Sequence, residues 1–239
     1  MKIKSLSFDL WNTLFFDHSI MYSRNEARVK YFQDVLVKNG YDHKLDIAGA
    51  MQYCWDHFEK MWRDKHKTLN ARELLILSCE QLGVELPEKD INDVSRYYED
   101  VILDYPPILF EGVSGTIPEL AKKYKLGITS DTAYTPGRVL KQLLKLEGIL
   151  EYFRVLTFSD EIGCSKPDPR AFGCTVKLFG NAPGESLHIG DNEYTDIQGA
   201  KNFGMKTILF KGAYEREEAP TAADYRANDW NELRKILLD

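Results

Sequence analysis

The chain has 239 residues, 44% of them hydrophobic, and a formal net charge of −6. That length can bury a substantial core in one large domain or two moderate ones. The acidic balance argues against a broad nucleic-acid surface, which needs a basic face. An anionic small substrate stays open, because a local cation or lysine can invert the field inside a cleft. The cysteines Cys54, Cys79, Cys164 and Cys174 form no CxxC pair and have no matching histidine spacing, so they read as buried, reduced thiols of a cytosolic protein. The amino terminus has no long apolar run and no cleavage site, so neither a signal peptide nor a membrane span is expected. The expected location is cytoplasmic.

The first element is a strand. Leu6, Phe8 and Leu10 alternate with smaller or polar residues, the period of extended chain. Asp9 falls where that strand ends, and Asn12 and Thr13 supply turn chemistry. After Phe15 and Phe16 the pattern turns helical for about ninety residues. Ala27, Tyr31 and Val35 repeat at i+4, as do Arg28, Phe32 and Leu36, with Gly40 suited to a C-cap. Ile47, Met51, Cys54, Trp55, Phe58, Met61 and Trp62 form a second, aromatic stripe, read as bundle core. Asn70 with Glu73 predicts a capping box that opens a helix running to Gly83. Pro87 suits the first turn of a fourth helix, which Pro106-Pro107 stops. Four amphipathic helices in succession predict a small bundle.

From Ile108 onward strand and helix alternate, the sign of a doubly wound parallel sheet. A helix is predicted from Ser114 to Tyr124, with Pro118 placed in or near its first turn. Strands follow at Lys125–Ser130, Val155–Ser159, Leu187–Asp191 and Thr207–Phe210, the last read as the final central strand. Helices are predicted at Pro136–Lys145, after Asp168-Pro169, from about Asp196 to Gly204, and from Asn231. The charged run Lys211 to Glu218 reads as a solvated loop. The economical topology is an α/β Rossmann-like core of residues 1–16 and 107–239, interrupted by an α-helical cap of residues 17–106. Such a cap sits over Asp9.

Asp9, Ser130, Ser159 and Asp191 each end a predicted strand, so four polar groups should crowd one sheet edge, where open α/β sheets place their ligands. Asp196 adds a third carboxylate and Lys166 a cation. Clustered carboxylates repel unless a cation neutralises them or one takes up a proton, and hard oxygen ligands suit Mg²⁺. Asp191 or Asp196 alone reads better as a helix cap; the ordered set does not.

These motifs together resemble the haloacid-dehalogenase-like hydrolase superfamily, in the group whose helical cap is inserted after the first motif. Asp9 in Phe8-Asp9-Leu10-Trp11-Asn12-Thr13-Leu14 is similar to the nucleophile motif, and Ser130 in Gly127-Ile128-Thr129-Ser130-Asp131 to the second. Lys166 in Ser165-Lys166-Pro167-Asp168-Pro169 resembles the third, and Gly190-Asp191 with Asp196 the fourth. The resemblance implies a hydrolase acting on a small phosphorylated substrate, with Asp9 forming an aspartyl-phosphate that water then cleaves. It implies Mg²⁺ held by Asp9, Asp191 and the Trp11 backbone carbonyl, with Asp196 a ligand through water or an orienter. Ser130, Asp131 and Lys166 are the implied phosphate-binding set, Ser130 and Lys166 offsetting charge on the transferring oxygens.

The chain departs from the family's phosphatases at Trp11, where they carry a second aspartate that protonates the leaving group. A positioned acid is worth about 10²–10⁴ in rate. The family's dehalogenases also lack that aspartate, which makes 2-haloacid hydrolysis through an aspartyl ester the alternative; they have a neutral residue at the position of Asp191. A silent metal- and phosphate-binding module is a further alternative. Asp17, His18, Asp131 and Glu193 are candidates for a substitute acid by proximity in sequence alone.

Overall fold

The computed structural model describes residues 2–17, 20–212 and 220–239. Strand β1 (Ser5–Phe8) forms at the predicted alternation, and its serines are as buried as its apolar residues. A short antiparallel ribbon follows, β2 (Phe15–Phe16) paired with β3 (Ile108–Leu109). Between its two strands the chain runs through helices α1 (Ile20–Lys38), α2 (Ile47–Lys65), α3 (Ala71–Leu82) and α4 (Glu88–Asp100). Phe32, Leu36, Cys54, Leu74, Leu75, Val94 and Tyr98 form the core that these helices share. The predicted capping box is present: Glu73 N donates to Asn70 Oδ1 and Asn70 N to Glu73 Oε2, both at 2.9 Å.

The remaining strands, β4 (Lys125–Ser130), β5 (Phe153–Phe158), β6 (Ser186–Gly190), β7 (Lys206–Phe210) and β8 (Tyr225–Ala227), join β1 in one sheet of order β5-β4-β1-β6-β7-β8. Every pairing is parallel. The connections are α5 (Val113–Ala121), α6 (Gly137–Leu146), α7 (Ser159–Ile162), α8 (Pro169–Phe179) and α9 (Gly199–Phe203), and α10 (Trp230–Leu238) follows the last strand. Strand order reverses at β1, so the crevice beyond its carboxyl end, between β4 and β6, is the ligand position of such sheets. The fold is the expected Rossmann-like α/β sheet.

The two faces of this sheet differ in chemistry. On one, Leu6, Phe8, Ile128, Ile189 and Ile208 join the core with Trp230 and Leu233 of α10, and the Phe8 ring stacks on Trp230 at 5.8 Å. The other face carries hydroxyls packed under α8. Buried hydroxyls cost about 1–3 kcal/mol each when unpaired, and here they pair across strands, Ser5 with Ser186 at 2.8 Å and Ser7 with Thr129 at 2.7 Å, and with the helix above, Thr129 with Thr175 at 2.7 Å.

Several local expectations change. Strand β8 adds an edge strand beyond β7. Ser159 is not a strand end, because β5 stops at Phe158 and Ser159 opens α7. Pro118 lies inside α5, five residues past its start at Val113, rather than in the first turn; the carbonyl it leaves without a helical donor belongs to Ser114, which is exposed to water. Most of the charged run, residues 213–219, and His18 lie outside the described residues. Cys54, Cys79 and Cys164 are buried free thiols, and Cys174 is a half-buried one. Among the described residues no helix is long and apolar enough to cross a membrane.

Candidate active site

Asp9 emerges from β1 with its N–H donating to Ile189 O of β6 at 2.8 Å, which ties the residue to the neighbouring strand. The chain then turns sharply. Leu14 N returns to Leu10 O at 2.9 Å, Asn12 N donates to Phe15 O at 2.7 Å, and Asn12 takes a left-handed φ of 55°. Trp230 Nε1 secures this turn from below by donating to Thr13 O at 3.0 Å. The Trp11 side chain is half-buried and packs on the sheet core.

Beyond β6, Asp191 is followed by a π-helical stretch, Glu193–Gln198, started by the Asn192 side chain accepting from Tyr194 N and Thr195 N. The wide turn brings Asp196 back against Gly190. A Cβ on residue 190 would lie 2.3 Å from Asp196 Cγ, so the glycine is required by this close approach. Carboxylate oxygens of Asp9, Asp191 and Asp196 lie within 4.8 Å of one another, and all three residues are buried.

Lys166 enters from the loop before α8 and is 2% exposed. Its Nζ lies 2.7 Å from Asp9 Oδ1 and 2.6 Å from Asp196 Oδ1. Burial disfavours the ammonium, but the charges of Asp196, Asp9 and Asp131 outweigh it and raise the Lys166 pKa. For Asp196, burial is likewise outweighed, by Lys166 and by the His188 hydrogen bond, and its carboxyl is held well below the usual range. Asp9 moves the other way. Burial and the nearby Asp196 raise its pKa despite Lys166. The Lys166 ammonium is thus shared by two buried carboxylates.

Ser130 sits at the end of β4, buried, its hydroxyl making a 3.4 Å contact with Asp131 O. Asp131 accepts from Lys166 N at 2.9 Å and from Trp62 Nε1 at 2.8 Å. Burial pushes its carboxyl up to about 6, with Lys166 and the Trp62 hydrogen bond opposing. Trp62 belongs to α2, so an indole read as bundle core instead reaches the site. The chain just after α2 follows it. His66, left-handed at φ 48°, accepts from Ser165 N at 2.8 Å, and Thr68 Oγ1 lies 2.8 Å from Ser165 Oγ. Tyr134, four residues after Ser130, stacks on Trp55 at 5.9 Å with the Arg28 guanidinium 4.5 Å from its ring centre.

The structure therefore brings Asp9, Lys166, Asp191 and Asp196 together, with Asp131 alongside through the Lys166 backbone. Ser159 is used differently: it accepts from Thr132 N at 2.8 Å and supports the loop after β4. Of the substitute acids, Asp17 is paired with Arg24 and Glu193 accepts from Ala222 N at 2.9 Å. Sequence reading missed His188 and Trp62, both of which touch carboxylates of the site.

The model of the haloacid dehalogenase-like hydrolase family matches residues 25–210. The chain is 34% identical over 248 residues to a pyrophosphatase PpaX of Bacillus cereus, covering 100% of this chain and 98% of that protein. It is 36% identical over 130 residues to a glyceraldehyde 3-phosphate phosphatase of Pyrococcus furiosus, a match covering 53% of each chain, so it spans about half the length of that relative. Two solved structures share the fold with a TM-score of 0.71 and 98% coverage of both chains: a HAD phosphatase of Thermococcus onnurineus, 24% identical, and a 2-haloacid dehalogenase of Pseudomonas syringae, 22% identical. Equal likeness to both means the fold alone does not separate the two chemistries. Four motifs in order, a site that gathers three of them at the end of β1 and β6, and a family match over most of its length make this chain a haloacid dehalogenase-like hydrolase.

Proposed function

We propose that the chain is a Mg²⁺-dependent hydrolase of a small phosphorylated metabolite, working through an aspartyl-phosphate on Asp9. The observation that carries this reading is the buried trio Asp9, Asp191 and Asp196, with Lys166 Nζ against Asp9 and Asp196. The donor set fits a hard divalent cation: its oxygens lie close together, its residues are buried, and carboxylate oxygens are the hard ligands such an ion takes. Asp9, Asp191 and the Trp11 carbonyl would hold the ion, which when bound offsets charge on the phosphoryl oxygens. Asp196 is better suited to orienting, since Oδ1 already accepts from Lys166 and His188 and Oδ2 from Asn192 N at 3.0 Å.

In this reading Asp9 attacks phosphorus, the ester oxygen leaves, and water then cleaves the acyl phosphate to return the carboxylate. Lys166 holds the attacking carboxylate and the transferring oxygens, and the Ser130 hydroxyl donates to the same oxygens. Residues 1–16 with 107–239 serve as the catalytic core and residues 17–106 as its cap. The Trp62–Asp131 and His66–Ser165 contacts support that division, because they bring the helical segment onto the loops that carry Ser130 and Lys166. The relatives' names, a pyrophosphatase and a glyceraldehyde 3-phosphate phosphatase, support a phosphorylated small substrate.

The 2-haloacid reading rests on Trp11, since halide leaves without a proton. Asp191 weighs against it, because a third carboxylate beside Asp9 repels a haloacid anion. Turnover across phosphate esters, acyl phosphates and 2-haloacids, with Mg²⁺ and with EDTA, tests the choice. Phosphate release that needs Mg²⁺ is expected; haloacid turnover that survives EDTA would replace this reading with the dehalogenase one.

Lys166→Ala should lower kcat by about 10²–10³ while KM changes far less, because the charge that Lys166 offsets grows toward the transition state. The variant also leaves two buried carboxylates without their partner, so its melting temperature is measured alongside. A change confined to KM would make Lys166 a ground-state anchor.

A further inference from the structure

His188 lies on β6 with no solvent exposure, directly beneath the carboxylates. Its Nε2 is 3.0 Å from Asp196 Oδ1 and its Nδ1 is 3.1 Å from Ser7 Oγ. The edge of Phe172, from α8, closes a third side at a centroid distance of 5.2 Å and 80°. Both ring nitrogens are thus engaged. Asp196 is an ionised carboxylate among donors and can only accept, so Nε2 carries a proton.

The contact with Ser7 continues across the sheet. Ser7 Oγ lies 2.7 Å from Thr129 Oγ1 on β4, Thr129 lies 2.7 Å from Thr175 on α8, and Thr175 donates to Thr157 on β5 at 2.9 Å. All of these hydroxyls are buried. Four adjacent strands and one helix therefore converge on the position of a single imidazole. The file ends at the imidazole, whose other nitrogen meets Asp196.

Asp196 Oδ1 is shared between His188 Nε2 and Lys166 Nζ. The direction in which Oδ1 points accordingly decides where the ammonium sits relative to Asp9. We infer that His188 is a positioning residue for the hydrolysis: by donating to Asp196 it fixes the carboxylate that aims Lys166 at Asp9. The inference rests on the proposed phosphatase reading for its kinetic consequence and on geometry for the rest. Groups behind a metal site's own residues typically matter by about 10–100-fold in activity.

Three substitutions separate this role from packing. The amide nitrogen of Gln reaches about as far as imidazole Nε2, Asn reaches only the Nδ1 position, and Leu offers neither. With Mg²⁺ and an aryl phosphate of low leaving-group pKa, His188→Asn and His188→Leu should lower kcat about 10–100-fold with KM nearly unchanged. His188→Gln should recover most of that loss. A second readout needs no turnover: in ¹⁵N NMR the wild-type His188 Nε2 should be protonated, and the Lys166 ammonium resonance should be protected from exchange. That protection should survive in His188→Gln and vanish in the Asn and Leu variants. If no phosphate ester is turned over by the wild type, the phosphatase reading fails while the lysine resonance still decides the positioning role. An imidazole protonated at Nδ1 alone in the wild type, a folded Leu variant with wild-type kcat, or a Gln variant as slow as Leu would each overturn it. If the substituted proteins fail to fold, the wild-type tautomer decides.

Discussion

Asp9→Asn removes turnover, by roughly 10⁴-fold or more in kcat, the scale expected when a covalent nucleophile is lost. The amide matches the carboxylate in shape but cannot attack phosphorus, so the loss falls on chemistry rather than on folding. Lys166 keeps its 2.6 Å partner Asp196 in the variant and is not left as a lone buried charge. Stability should hold or rise. The folded pKa of Asp9 lies above its unfolded value because of burial, so the ionised side chain costs stability at pH values above both, and a neutral amide removes that cost. Asn also supplies a weaker metal ligand, which lowers Mg²⁺ affinity; the assay is therefore run at saturating metal. A folded variant that keeps more than about a hundredth of wild-type kcat would remove Asp9 as the nucleophile.

The residues legible in the sequence are those whose position follows from short-range pattern. Asp9, Ser130 and Asp191 each follow an apolar alternation that becomes a parallel strand, and a doubly wound sheet places such residues at one edge whatever lies between them. Lys166 was legible through its rigid motif. His188 was not. Within Leu187-His188-Ile189 it reads as one polar position of an alternating strand, which ordinarily means a face toward water. Here that face is covered by α8, and the partner Ser7 comes from 181 residues earlier in the chain. Trp62 was hidden for a similar reason. It keeps the helical spacing of the stripe around it, and only the aspartate 69 residues away separates its indole from bundle core. Strand β8 has only three residues, Tyr225-Arg226-Ala227, too few for their alternation to stand out, and pairs with one neighbour.

Trp11→Asp should selectively rescue substrates with poor leaving groups. In the wild type Trp11 and not an acid stands two residues after Asp9, so under the proposed reading aryl phosphates of low leaving-group pKa should react tolerably and alkyl phosphates badly. An aspartate at this position can donate a proton to the departing oxygen, and only a basic leaving group gains from it. The expected gain is about 10²-fold or more in kcat for alkyl phosphates, with little change for the aryl ones. The local backbone favours the test. The turn is held by Leu14 N to Leu10 O, Asn12 N to Phe15 O and Trp230 Nε1 to Thr13 O, none of which involves the Trp11 side chain. What is lost is the packing of a half-buried indole on the sheet core, a destabilisation of about 1–3 kcal/mol that a thermal melt reads directly. The added carboxylate has the opposite effect on a haloacid, whose anion it repels, so dehalogenase turnover should fall. A folded Trp11→Asp variant with the wild-type dependence on leaving group would sink the missing-acid reading. Attention would then turn to Asp131, whose carboxyl is pushed up to about 6 by burial and lies against Lys166 and Trp62.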